Sequence, residues 1–441
     1  MKNVQRRISR GLAAAAAATL ALTGCAVGGG SSKDQPELTN EPVTLTMTWW
    51  GADARTKATN EAIELFEKKY PNINVEPQFS DWGGYWDRLA TATAGGDMPD
   101  VMQFDQLYLA SYADRGTLLD LGTVSNTLDL SVTPESVLQT GQVDGKQYAM
   151  PLGGSPNAVI VNKTVLDQYG IPLPDFDTWT WDEFTALAQE VSDKSGGKTW
   201  GVGPFGADTF GLTMWARQHG ENLYDADGNI AIKPETIVSF WQQAQDWIKS
   251  GAAPSVEHIA EGTGAPLDQT DLTLGKLAMA FIPAGQLSAY SKASAGLDFV
   301  IGNWPTDADT KEGFQFIKPT MYWAASSKSE HPAEAAALIN FLISDPEVAK
   351  TFGTDRGLPA APVAQDAIAS TLDPIGRQIL GYTKSMTEQA GEAQPITPNG
   401  ASDSESILSR NFQSVLFGEQ SPEAAAQKFI DELQSSIDAT K

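Results

Sequence analysis

A chain of 441 residues with a formal net charge of −25, 12 tryptophans and one cysteine excludes several classes at once. So acidic a body repels nucleic acid and anionic lipid headgroups. A single cysteine builds no disulfide framework, so stability must come from a large apolar core, which a chain long enough for about two domains can supply.

The first segment is an export signal. Lys2, Arg6, Arg7 and Arg10 precede a short Ala/Leu run over 11–22. This is the charge-then-apolar pattern of a secretory leader, too short for a spanning helix of about 20 apolar residues. Leu22-Thr23-Gly24-Cys25 fits the bacterial lipobox, which implies a signal peptide over 1–24 and a diacylglyceryl thioether on Cys25. Arg6-Arg7 raises a twin-arginine route, but Ile8-Ser9-Arg10 fits it poorly. Removing 24 residues takes away four basic groups and no acidic one, leaving the body near −29. Residues 25–42, rich in Gly and Ser, read as a lipidated tether. Acidity and the Ala-rich leader point to a Gram-positive source, with the body held at the outer face of the cytoplasmic membrane.

Beyond the tether, 43–49 ("VTLTMTW") alternates apolar and polar residues and predicts a strand. Residues 56–70 carry Ala62, Ile63, Phe66 and Tyr70 at helical spacing before Pro71, and 73–79 alternates again. Strand, helix, strand with short joins predicts a βαβ unit and a parallel sheet. A helix is expected over 81–94, a short buried strand over 101–104, and helices over 182–193, 235–249, 332–343, 345–352 and 422–437. Thr180-Trp181-Asp182-Glu183 reads as a capping box, with Trp181 packing at the helix start. No repeat of solenoid period occurs.

Enzyme and metal signatures come close and fail. Gly201 to Gly206 spells GxGxxG, but Pro204 removes an N–H that a phosphate would use. Gly197-Lys198-Thr199 ends like a P-loop, yet Ser192 stands where its first Gly belongs. Asp225 to Asn229 resembles the start of a calcium loop, but Ile230 and Thr236 occupy positions that need Gly and Glu, so an Asp-Gly hairpin turn is expected. His219, His258 and His331 are scattered, and no GxSxG is present. The expectation is no catalytic residue, no cofactor and no metal.

The tracts "WWGADARTKATNEAIELFEKKYPNINVEPQF", "GGDMPDVMQFDQLYLASYADRGTLLDL", "DGKQYAMPLGGSPNAVIVNKTVLDQYGI", "TWDEFTALAQ", "LGKLAMAFIPAG" and "HPAEAAALINFLISDPEVAKTF" resemble, in order and spacing, the extracellular solute-binding lipoproteins of bacterial ABC sugar importers, the class that includes maltose-binding protein. The resemblance implies an α/β, two-lobe periplasmic-binding-protein fold of class II type. Each lobe is a sheet flanked by helices, and hinge strands join the two. It places one lobe at 43–151 with 306–350 and the other at 152–305 with 351–441. It implies a monomer without catalytic activity that captures a di- or oligosaccharide and delivers it to permease subunits, with the membrane reached through Cys25.

Sugar hydroxyls need planar amide or carboxylate partners beneath aromatic platforms, and ligands of open α/β sheets sit beyond the carboxyl ends of the strands. Trp49 and Trp50 follow the first strand, Trp82 the second, and Asp105 the third. The resemblance adds Ser155 and Asn157 at the first hinge crossing and Trp215 as a stacking aromatic. It also adds Gln286, where the family often has a platform tryptophan, Tyr322 and Trp323 after the second crossing, and Arg356 beside the third. The alternatives are the same fold holding a peptide or a cationic small molecule, and a secreted glycosidase; 55 acidic residues supply carboxylates for the latter, in no recognisable context.

Overall fold

The computed structural model describes residues 35–440 apart from Ala52 and Ala295. The leader, Cys25 and most of the tether lie outside the described residues. Residues 36 onward form one compact unit.

The expected opening unit forms. Strands β1 (Val43–Trp50), β2 (Ile73–Ser80) and β3 (Val101–Phe104) are parallel, with β1 in the middle. Between them run helices Asp53–Lys69 and Trp82–Gly95. Asp81 accepts from the Gly84 N–H at 2.9 Å, so it caps the second helix instead of opening it as its first residue. A small hairpin, β4 (Gln142–Val143) and β5 (Lys146–Gln147), leads into β6 (Ala149–Asn162).

β6 is the strand on which the architecture turns. Its first part pairs antiparallel with β10 (Ile317–Ala325), which in turn pairs with β3. Its second part pairs antiparallel with β8 (Leu277–Pro283) and β9 (Phe299–Gly302), and β7 (Trp200–Val202) runs parallel to β8. The two-residue strand β11 (Leu358–Pro359) lies against Gly153 and Gly154. Three chain segments therefore converge at one point. A Cβ on Gly153 would sit 2.5 Å from the Leu358 carbonyl oxygen, so only glycine permits the approach.

Apolar residues divide along β6. Ahead of the glycines, Ala149 and Met150 fall in the clusters of β1, β3 and β10. Beyond them, Val159 and Val161 join one core with Phe184, Trp241 and Phe429, while Ala158 and Ile160 join another with Leu287 and Ile379. The result is a two-lobed α/β molecule. Thr180 and Glu183 make the reciprocal capping box. Asp225 accepts from the Asp227 and Asn229 N–H groups inside the tight turn expected there. No helix among the described residues is long and apolar enough to cross a membrane.

Candidate functional site

A cavity of about 620 Å³ opens where the two lobes meet, walled by both. The first lobe contributes the end of β3, where Asp105 caps helix Gln106–Asp114 by accepting from the Leu107 N–H at 2.9 Å. The hinge strands contribute Ser155 on β6 and Lys318 and Thr320 on β10. The second lobe presents Thr209 and Phe210 at the start of helix Thr209–Gln218, then Tyr224, Gln286 and Glu405. Gln394, Thr397, Ser402 and Ser404 close the wall. Hydroxyls and amides recur along this lining beside Leu107, Leu223, Pro283, Pro319 and Leu358, and two rings, Phe210 and Tyr224, add flat apolar surface.

Charge in the cavity is sparse. The Lys318 ammonium stands over the Phe210 ring, 5.6 Å from its centre, and its field reaches the carboxylates of Asp105 and Asp208. Burial raises the pKa of Asp105, while the Leu107 N–H and the field of Lys318 pull it back. Behind the wall, burial also raises Asp208; the Gly211 N–H that it caps pulls the other way and Glu405 adds to the rise. The Tyr224 hydroxyl is buried, has no hydrogen-bond partner of good geometry, and is pushed up to about 12 by burial, Ser404 opposing.

The structure sorts the sequence-predicted residues into three groups. Asp105, Ser155 and Gln286 line the cavity. The Ser155 hydroxyl is partly committed, since its oxygen accepts from the Gly285 N–H at 3.0 Å. Trp82 stands outside the lining, 43% exposed, with its edge against Trp50 and its ring centre 6.4 Å from that of Tyr108.

The remaining seven are corrections, and their reasons are physical. Trp49 and Trp50 are neighbours on an interior strand, so they point to opposite faces of the sheet. Each enters a different buried cluster, because helices cover both faces. Tyr322 and Trp323 repeat the pattern on β10, and both are fully buried. Asn157 is buried: its side-chain oxygen accepts from the Ala158 N–H and its carbonyl from the Tyr382 hydroxyl. Trp215 faces the second-lobe core, donating to Ser239 Oγ at 2.9 Å and meeting Trp181 edge-on; the same helix shows the cavity Phe210 instead. Arg356 is 3% exposed. It donates to Gln103 and Thr59 and lies over the rings of Phe352 and Trp323, and burial with Arg55 nearby lowers its pKa.

Phe210, Tyr224, Lys318, Thr320, Gln394, Thr397 and Glu405 escaped sequence reasoning. Lys318 alone carried a usable signal, a basic residue next to Pro319 in an acidic chain just ahead of the aromatic pair of β10. No group of three or more His, Cys, Asp or Glu residues that could hold a metal occurs among the described residues.

A family model described as bacterial extracellular solute-binding protein matches residues 61–375. Among curated relatives, the erythritol/L-threitol-binding protein of Mycolicibacterium smegmatis is 24% identical over 87% of this chain and 86% of its own. A lipoprotein of Streptomyces antibioticus, from the oleD 5' region, is 25% identical over 73% and 72%. Among solved structures, a periplasmic oligogalacturonide-binding protein from Yersinia enterocolitica superposes with a TM-score of 0.78 at 25% identity, covering 89% of this chain and all of that one. Two lobes on a shared strand, a cavity between them and a match spanning most of the chain establish that this protein belongs to the bacterial extracellular solute-binding proteins.

Proposed function

We propose that this protein captures an uncharged di- or oligosaccharide between its lobes and hands it to the permease of an ABC importer, held at the outer face of the cytoplasmic membrane by a lipid on Cys25. The observation that carries this reading is the cavity. Its size falls within the range of small-molecule sites, its lining carries hydroxyls and amides, and it is formed by both lobes, so closure of one on the other would bury the solute. We take the lobes as 43–151 with 306–350 and 152–305 with 351–441.

A thermal-shift screen of the mature protein tests the reading, using raffinose, a disaccharide set, erythritol, digalacturonate, peptides and polyamines. A neutral sugar at 100 times its dissociation constant should stabilise by about 2.7 kcal/mol. Stabilisation by peptides or polyamines alone would overturn the reading. Lys318, a cation in the cavity wall, favours a second reading in which the sugar carries a carboxylate. In that case digalacturonate stabilises, raffinose does not, and Lys318→Met removes the effect.

A further inference from the structure

Residues 390–403 join helix Pro374–Gln389 to helix Ser404–Leu416 without helix or strand of their own. Irregular segments of this length are uncommon in compact domains and usually carry function. Both ends are fixed to the second lobe. At the start, Arg217 Nη2 donates to the Glu392 carbonyl at 2.7 Å. At the finish, Ala401 is fully buried in the second-lobe core. Gly400 next to it has φ +83° and passes so near helix Pro422–Asp438 that a Cβ would lie 2.2 Å from the Ser436 carbonyl oxygen.

The middle of the segment crosses to the other lobe. Ile396 packs against the first-lobe cluster that contains Trp50, Phe104 and Tyr112. Asn399 Nδ2 donates to Asp114 Oδ2 at 2.8 Å. Asp114 ends the helix whose start is capped by Asp105, itself in the cavity wall. Gln394 and Thr397, on either side of Ile396, line the cavity.

We infer that residues 390–403 form a strap that latches the second lobe onto the first across the cavity, with Gln394 and Thr397 as specificity-determining contacts and Ile396 with the Asn399–Asp114 pair as the latch. Docking of the apex on the first lobe holds Gln394 and Thr397 against the solute. A solute that engages them favours the latched state, and the latch raises affinity by the fraction of molecules already docked. The inference rests on the reading that the cavity takes a solute, but the latch itself can be read without one.

Amide hydrogen exchange over 391–401 in the full-length protein, where the Gly391 and Ala401 N–H groups are hydrogen-bonded, with no sugar added, is the first measurement. Asn399→Asp sets a carboxylate against Asp114, and exchange should quicken about two- to threefold. Combining it with Asp114→Asn restores an amide–carboxylate pair in the opposite sense, and exchange should return to the parent rate. Ile396→Ser should quicken it about tenfold by stripping the apex of apolar contact. Rates unchanged by Asn399→Asp and Ile396→Ser, or not restored by the reversed pair, overturn the latch. The second measurement is the thermal shift given by raffinose or digalacturonate. Gln394→Ala should reduce it without altering strap exchange, and an undiminished shift overturns the contact role. If every sugar in the screen fails, the solute reading falls while the exchange result still stands or falls alone.

Discussion

The two walls of the cavity are built differently. The first lobe and the hinge strands show it strand residues: Asp105 just past β3, and Lys318 and Thr320 on β10 beside Ser155 on β6. Lys318 faces Ser155 in register, and Thr320 sits where the register shifts between Pro319 and Met321. The second lobe shows it a helix start (Thr209, Phe210), a single helical turn (Gln286) and the irregular residues of the strap. The helix start is capped by Asp208, the turn is tied to Ser155 through the Gly285 N–H, and the strap is held by Arg217, distant in sequence. One wall is set by backbone pairing and the other by side-chain anchoring, so mutation should damage them in different ways.

The largest effect is expected where the first wall is thickest. Trp323→Ala removes a fully buried indole from the strand that lies between β3 and β6. Truncating a buried tryptophan costs about 3–5 kcal/mol, to be read from urea denaturation, and the loss should be global. Arg217→Met attacks the second wall. Arg217 donates to the carbonyls of Phe314, Gly313 and Glu392 and to Asn222. Freeing these acceptors should cost about 2–3 kcal/mol, with loss of exchange protection concentrated at Gly391, the hydrogen-bonded amide beside Glu392. Equal, global loss from both variants would erase the distinction between the walls.

Asp105 sharpens it with pH. Burial raises its carboxyl above the ordinary value, so the native state binds the proton more tightly than the unfolded chain. Stability from this group therefore falls as pH rises through the gap between the two values. Asp105→Asn keeps a good helix cap. It should raise the melting temperature slightly at pH 7, lose that advantage near pH ~4 where the unfolded carboxyl also protonates, and weaken solute binding. The smallest effect belongs to Trp82→Ala, about 0.5–1.5 kcal/mol for its edge contacts. A larger loss would mean that the rim tryptophan bears weight the packing does not reveal.

The same contrast decides what the sequence disclosed. Strands at 43–49, 73–79 and 101–104 and the helix runs were legible because burial imposes a period, and Asp105 was legible because it follows a legible strand. Aromatic residues misled. Trp49-Trp50 and Tyr322-Trp323 look like platforms at strand ends, but adjacent residues on an interior strand face opposite sides, and here helices cover both. Trp215 misled for the complementary reason: the helix was right and the face was wrong. Gln394 and Thr397 were invisible because nothing periodic governs 390–403. Their placement depends on Arg217, far away in sequence, and on a glycine at 400 where the chain brushes another helix.

Sharing β6 between the lobes has a consequence for how the molecule comes apart. One continuous ribbon is hydrogen-bonded into both sheets, so fraying of either half exposes the edge on which its neighbour is templated. Heating should accordingly give one cooperative transition, not two, and a peptide insertion between Gly153 and Gly154 should abolish both halves together.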